Sequence, residues 1–189
     1  METPKLFMIL LGCTPANRNT EQHDVFFSIG KNLKELVPQI IAFWPEANNK
    51  IHLDAWREVT RVGAYNIVVE ERKEGTEAAT GAPAKLFFIN LGGYKRDEFE
   101  EYHYKMLVAS SNKGEAIKES MQTSFYRHIG FTGASSHVDD KFGIDIDELY
   151  EIEDILLPEI KMKYFITLTP ADLQKEDEIH LGYRMLQKL

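Results

Sequence analysis

The sequence predicts an α+β fold in which one β-β-α-β-β unit of about 80 residues is used twice. We expect mixed sheets with helices on one face, followed by a C-terminal β-hairpin. Three observations predict this fold: segments that recur at fixed offsets, short apolar runs ended by turn residues, and two capping-box patterns.

The recurrence is clearest at an offset of 80. Eight residues beginning with Lys-Leu-Phe and ending with Gly start at Lys5 and again at Lys85. The same offset relates acidic residues and histidines, pairing Glu21 with Glu101 and His23 with His103. Such matches predict a duplicated structural unit.

Later in each copy the predicted offset becomes 85. It aligns five pairs: His52 with His137, Asp54 with Asp139, Val59 with Ile144, Tyr65 with Tyr150, and Ile67 with Ile152. We therefore predict a first unit at 1–78 and a second at 79–162. Residues 163–189 are predicted to be a truncated third copy, a hairpin that packs on the rest.

Local patterns predict the elements of each unit. Lys5–Leu11 is an apolar run typical of a buried strand, and His23–Gly30 is rich in β-branched and aromatic residues, which favours a second strand. Capping boxes predict helices beginning near residues 32 and 112, from Asn32 with Glu35 and from Asn112 with Glu115.

The rest of the unit is predicted as two strands and a linker. Ile51–Val59 and Ala64–Glu71 alternate as strands joined by a turn around Gly63. Arg72–Ala84 is the expected linker between copies, across which strand 64–71 would pair with strand 85–91.

Composition limits the function. The net charge of −8, without a basic stripe, disfavours binding to nucleic acid and to anionic membrane surfaces. The longest apolar run, Leu6–Leu11, is too short to cross a bilayer, and the N-terminus lacks a signal-peptide pattern. The single Cys13 excludes an intramolecular disulfide and a multi-cysteine zinc site, so we predict a cytoplasmic protein.

Polar residues recur where chemistry is expected. The candidate metal ligands are Glu21, His23, His52 and Asp54 in the first copy, and Glu101, His103, His137 and Asp139 in the second. If the strands on either side of the helix share a sheet, they run parallel and begin at one edge, which brings each set together. Each set could hold a divalent metal such as zinc, manganese or iron, or form an acid–base pair.

The preferred interpretation of these clusters is structural, because histidine–carboxylate hydrogen bonds satisfy buried polar groups without chemistry. Trp56 follows His52 and Asp54 at strand spacing and is expected on the same face. Asp145 and Asp147 lack the spaced loop of a calcium site and are interpreted as a solvated strand face.

Two motifs carry a family resemblance. Asn19–Asp24 followed by Val-Phe-Phe, and His52-Leu53-Asp54 followed by Val62–Ile67, resemble the recurring motifs of the bacterial domain of unknown function 1543. The second copy departs from them, with Tyr104 in place of Asp24. The resemblance implies one or two copies of that domain and implies no activity.

Three functions remain open. The first is a non-enzymatic or ligand-binding module whose small-molecule ligand is unknown. The second is a metal-dependent hydrolase using Glu21, His23, His52 and Asp54. The third is an assembly protein, possibly a homo-oligomer, that offers an edge strand. No nucleotide-binding motif is present, so no organic cofactor is predicted.

Overall fold

The computed structural model describes residues 3–48, 50–73, 84–95, 97–123, 144–172 and 177–189. They belong to two compact units: Met1–Thr80 with Leu156–Leu189, and Gly81–Ile155. Helices and strands occur in both units, so the predicted α+β class is confirmed. None of the described helices is long and apolar enough to cross a membrane.

The described elements comprise ten strands, four α-helices and two short 3₁₀ turns. In chain order they are β1 (Lys5–Cys13), β2 (Gln22–Gly30), α1 (Leu33–Phe43), a 3₁₀ turn (Pro45–Ala47), β3 (His52–Val59), β4 (Arg61–Val62), β5 (Tyr65–Glu71), β6 (Lys85–Tyr94), β7 (Glu101–Ser110), α2 (Lys113–Ser120), β8 (Ile144–Glu151), α3 (Ile152–Ile155), α4 (Pro158–Lys163), β9 (Tyr164–Pro170), β10 (His180–Met185) and a 3₁₀ turn (Leu186–Lys188).

The first unit is organised by a four-stranded antiparallel sheet in the order β10-β3-β1-β2. The apolar run in β1 occupies a central position between β3 and β2, and six of the nine residues of this strand are buried. Because β2 and β3 both run antiparallel to β1, they are parallel to each other and begin at the same edge. The predicted common starting edge is therefore confirmed.

The helix between β2 and β3 begins where the capping box predicts. Asn32 Oδ1 accepts a hydrogen bond from the Glu35 backbone N–H at 3.2 Å, which satisfies one of the free N–H groups of the first turn. Leu36 and Ile40 of α1 are fully buried. They complete a core on one face of the sheet, made of Phe7, Ile9, Leu11, Cys13, Phe26, Leu36, Ile40, Ala47, Ile51, Leu53 and Leu186.

A second, three-stranded sheet of the first unit has the order β4-β5-β9. Gly63 has a positive φ of 55° in the turn between β4 and β5, a conformation that favours glycine. All seven residues of β5 pair with β9, from Tyr65 opposite Pro170 to Glu71 opposite Tyr164. The predicted pairing of strand 64–71 with strand 85–91 is therefore wrong.

The predicted C-terminal hairpin is also wrong, because β9 and β10 belong to different sheets. β10 extends the edge of β3 instead. The Asp177 carboxylate anchors its start, since Oδ2 accepts hydrogen bonds from the backbone N–H groups of Thr60 at 2.9 Å and Arg61 at 3.0 Å. Each C-terminal strand thus pairs with an edge offered by the preceding sheet.

The second unit contains a three-stranded antiparallel sheet in the order β7-β6-β8. Helix α2 begins at a matching cap, where Asn112 Oδ1 accepts from the Glu115 N–H at 3.1 Å. The core of this unit consists of Phe87, Ile89, Leu91, Val108 and Ala116. Because every pairing among the described strands is antiparallel, the prediction of mixed sheets is wrong.

The strand registers correct the alignment of the two halves. Lys5 lies opposite Gly30, and Lys85 lies opposite Ser110, so β1–β2 and β6–β7 correspond at the offset of 80. For β3 and β8 the correspondence differs. His52 lies opposite Gly12 and Asp145 opposite Gly92, which is an offset of 93 (145 − 52).

The predicted offset of 85 is therefore wrong, and Tyr65 in β5 has no equivalence with Tyr150 in β8. A cross-strand ion pair recurs at the corrected offsets. Lys5 Nζ lies 2.7 Å from Glu58 Oε2, and Lys85 Nζ lies 2.9 Å from Glu151 Oε2. His137 and Asp139, which the offset of 85 selected as ligands, lie outside the described residues.

Candidate metal centre

A bulge in β3 shapes the candidate site of the first unit. Leu10 lies opposite Ala55 and Leu11 opposite Leu53, so Asp54 is an extra residue without a partner in this ladder. The bulge shifts the alternation of side chains beyond it. Trp56 consequently packs with Phe7 on the helix-covered face, with ring centroids 6.3 Å apart. The prediction that Trp56 shares a face with His52 is wrong.

Gly12 makes room for the site on the opposite face of the sheet. It lies opposite His23 in β2 and opposite His52 in β3. A Cβ atom on Gly12 would overlap with the Asp54 carboxylate and with Nε2 of His52. Glycine therefore provides the space into which the two histidines and Asp54 extend.

The four residues named from the sequence of the first unit meet over Gly12. His52 Nε2 lies 3.0 Å from Glu21 Oε1 and 3.4 Å from Asp54 Oδ1. His23 Nε2 lies 3.2 Å from Asp54 Oδ2 and 3.6 Å from Glu21 Oε2. Imidazoles and carboxylates thus alternate around a ring, with each imidazole between two acids.

The interior of the ring is short of hydrogen bonds. His52 is only 6% exposed, whereas the side chains of Glu21 and His23 are open to solvent. Among the buried side-chain atoms of described residues, His52 Nε2 and Asp54 Oδ2 make no hydrogen bond. His52 Nε2 and Asp54 Oδ2 therefore lie close to Glu21 and His23 without a directed donor–acceptor pair.

The ring contains the donor atoms that zinc uses, since zinc binds histidine nitrogen and carboxylate oxygen at about 2.0–2.2 Å. The four nitrogen–oxygen distances run from 3.0 to 3.6 Å and involve both oxygens of each carboxylate. Two imidazoles with two carboxylates form a donor set that zinc, manganese and iron all accept.

Neighbouring groups border this ring without joining it. The Tyr183 ring of β10 packs against the His52 imidazole, with centroids 4.3 Å apart. Cys13, the residue after Gly12, is fully buried on the helix side. Burial raises the pKa of the Cys13 thiol, with a smaller raising effect from the Glu21 charge and a lowering effect from Lys50.

The second unit brings together Glu101, His103 and Asp147, whose ligand atoms lie within 4.8 Å of one another. His103 Nε2 lies 3.2 Å from Asp147 Oδ2, the same separation as between His23 and Asp54. The register of β6 and β8 skips Asp147 between Leu91 and Asn90, which reproduces the bulge of the first unit.

Sequence reasoning missed Asp147 because it selected His137 and Asp139. A signal for the correct alignment exists: Ile-x-Leu-Asp at residues 51–54 matches Ile-x-Ile-Asp at residues 144–147. The interpretation of Asp147 as part of an exposed strand is consistent with its exposure, yet it did not anticipate the contact with His103.

Tyr94 adds a hydrogen bond to the cluster of the second unit. Its hydroxyl donates to Glu101 Oε1 at 2.8 Å. This bond raises the pKa of the Tyr94 hydroxyl, as do partial desolvation and the charges of Glu101 and Asp147. Glu101 is thereby held at the edge of the strand pair.

Comparisons with known proteins support the fold more than any chemistry. No curated protein matches the chain. The crystal structure of a protein Il1583 from Idiomarina loihiensis aligns with a TM-score of 0.65 at 20% identity, covering 97% of this chain and 98% of that one, which shows a similar fold. The family described as Domain of Unknown Function (DUF1543) matches residues 18–69. This segment, which contains all four residues of the first cluster, is therefore similar to a family without an assigned activity.

Proposed function

We propose that the first unit is a divalent-metal-binding domain whose ligands are Glu21, His23, His52 and Asp54, with zinc as a favoured ion. One observation carries the proposal. Two imidazole nitrogens and two carboxylates meet at 3.0–3.6 Å, and buried His52 Nε2 makes no hydrogen bond. A metal ion would satisfy that nitrogen and balance the two negative charges.

Structural pairing accounts for the same contacts less well. A histidine that serves to satisfy a buried carboxylate should direct its N–H at one oxygen. His52 Nε2 instead lies between Glu21 and Asp54 without a hydrogen bond to either. A metal ligand needs an unprotonated nitrogen aimed at the ion, and this arrangement leaves that nitrogen available.

Zinc titration of the chelator-treated full chain tests the proposal. We expect saturable zinc binding in calorimetry, and His52→Ala should weaken one binding event by more than about 100-fold, because removing an outer partner alone costs about 10- to 100-fold. At a free zinc concentration 100 times Kd, binding should add about 2.7 kcal/mol to the free energy of unfolding.

Two further variants separate metal binding from folding. Glu21→Gln changes a solvent-exposed ligand and should also weaken zinc binding while the circular dichroism spectrum is retained. His180→Ala removes a histidine that stacks on Trp56 on the other side of the sheet, and it should leave zinc affinity unchanged. Wild-type zinc affinity in both His52→Ala and Glu21→Gln would refute the proposal in favour of structural pairing.

We also infer that the second unit is a diverged tandem copy of the first. The corresponding register at an offset of 80, the bulge at an offset of 93 and the repeated helix cap support this duplication.

Bacterial origin and cytoplasmic location remain predictions, as does the hydrolase alternative. Homo-oligomer formation is also a prediction, supported by the position of β10 at a sheet edge with Leu181 and Tyr183 exposed.

A further inference from the structure

We infer that the second unit carries its own cation site, formed by Glu101, His103 and Asp147, and that this site favours manganese over zinc more than the first site does. The inference goes beyond the proposed zinc site because it concerns other residues in another unit. It rests on the geometry of these three side chains and on a consistent change in donor atoms between the units.

The geometry of the second site repeats the part of the first that contains His23 and Asp54. His103 and Asp147 are 3.2 Å apart, and Glu101 joins them within the 4.8 Å cluster. Gly92 provides the space beneath, since a Cβ atom there would overlap with the Asp147 carboxylate. A glycine, a bulged aspartate and a histidine therefore form the same cradle in both units.

The donor atoms around the second cradle shift toward oxygen. At the offset of 93, Asp145 occupies the register position of His52, and His103 is the only histidine of the second cluster among the residues that the structure describes. Further along the same two strands, Asn90 and Glu148 replace the apolar Leu10 and Ala55 of the first unit. Two apolar side chains are thus exchanged for side chains that carry oxygen.

Asn90 is the most informative of these differences. Asn90 is only 8% exposed, and its Nδ2 donates a hydrogen bond to Glu148 Oε2 at 2.7 Å. The amide oxygen Oδ1 is buried without a hydrogen bond. An unsatisfied buried oxygen on the strand position two residues before Gly92 is the type of group that a hard cation or its bound water would satisfy.

Donor chemistry then determines the difference in selectivity. Imidazole suits zinc, copper and iron, whereas carboxylate, carbonyl and water oxygens suit magnesium, calcium and manganese. Divalent zinc binds more tightly than manganese at most sites. The two sites are therefore expected to differ in their zinc-to-manganese affinity ratio, and not in which of the two metals binds more tightly. One imidazole with several oxygens should lower the zinc-to-manganese ratio relative to two imidazoles with two carboxylates.

Manganese titration of the chelator-treated full chain, followed by the electron paramagnetic resonance signal of free Mn²⁺, tests this inference. We expect Asp147→Asn and Glu101→Gln each to weaken manganese binding by at least about 10-fold. His52→Ala should leave that binding event unchanged. Asp97→Asn makes the same chemical change at an exposed residue of the same unit, where asparagine tolerates the positive φ of 64°, and should have no effect.

The outcomes distinguish this inference from the proposed zinc site. Manganese binding that is unchanged in both Asp147→Asn and Glu101→Gln, or undetectable in the wild type, would overturn the second site. So would a loss that follows His52→Ala alone. Zinc binding sensitive to His52→Ala would stand in each of those cases, and circular dichroism of Glu101→Gln controls for folding.

Discussion

The two units use the same local framework for clusters of different composition. Both have an apolar central strand with a glycine near its end, a bulged aspartate, and a histidine 3.2 Å from that aspartate. In the first unit, His52 and Glu21 close a ring around the space above Gly12. In the second unit, Asp145 takes the register position of the second histidine. The comparison shows that the glycine, the bulged aspartate and the first histidine are kept while the register position of His52 changes to aspartate.

The clusters also differ in their surroundings. In the first unit β10 extends β3 and packs the Tyr183 ring against His52, which buries that imidazole. The sheet that the structure describes for the second unit ends at β8, and Glu101, His103 and Asp147 are exposed. Burial strengthens electrostatic interactions and restricts side-chain movement, so we expect the first cluster to be the more rigid.

The largest difference in stability is expected from alanine at the two cradle glycines. Gly12→Ala should cost about 1–3 kcal/mol, because the added Cβ overlaps with the Asp54 carboxylate and with the imidazole of His52, which is buried. Gly92→Ala should cost less, because its Cβ meets the carboxylate of exposed Asp147, which can rotate toward solvent. Urea unfolding of both metal-free variants measures the difference, and equal losses would contradict the proposed rigidity of the first cluster.

An engineered histidine should make the second cluster more like the first. Asp145→His, placed in a chain that also carries His23→Ala and His52→Ala, should raise zinc affinity by about tenfold or more, equivalent to about 1.4 kcal/mol. Competition with a zinc-binding dye measures the change. Asp145→Asn is the matched control, since it removes the charge without adding imidazole. An equal zinc affinity in the two variants would show that the register position does not control selectivity.

The smallest effects are expected at the helix caps, where the units are most alike. Asn32→Ala and Asn112→Ala should each lower the free energy of unfolding by about 1 kcal/mol, because each removes the acceptor for a backbone N–H in the first turn. Asn32→Asp and Asn112→Asp keep an acceptor and should be close to neutral. Thermal unfolding followed by circular dichroism tests this expectation, and a loss confined to one helix would show that the caps are not equivalent.

Local signals made much of the fold predictable. The β1 strand, the β2 strand and both helix starts follow from apolar runs, β-branched residues and the capping boxes at Asn32 and Asn112. The convergence of Glu21, His23, His52 and Asp54 was also predictable, because a crossover between strands in one sheet places their starting ends at one edge. These features depend on short stretches of sequence and on the general rules of strand connection.

Strand partners and the second cluster were harder to predict. β9 and β10 are neighbours in sequence, but each pairs with an earlier strand whose free edge was available. For the second cluster the sequence analysis selected His137 and Asp139, because their His-x-Asp pattern resembles that of His52 and Asp54, and it did not select Asp147. The register of β8 against β6 identifies Asp147 as the residue at the position of Asp54, an alignment for which the sequence carries only the short Ile-x-Leu-Asp and Ile-x-Ile-Asp match.

By itself, the sequence determined the α+β class, the order of the first elements and the four residues that meet over Gly12. Propensity, helix capping and side-chain alternation act over a few residues and can be read along the chain. Tertiary structure decided which strands pair, where the bulges at Asp54 and Asp147 fall and which face Trp56 occupies. A one-residue bulge reverses the side-chain alternation beyond it, and its position depends on hydrogen bonds between strands that are distant in sequence.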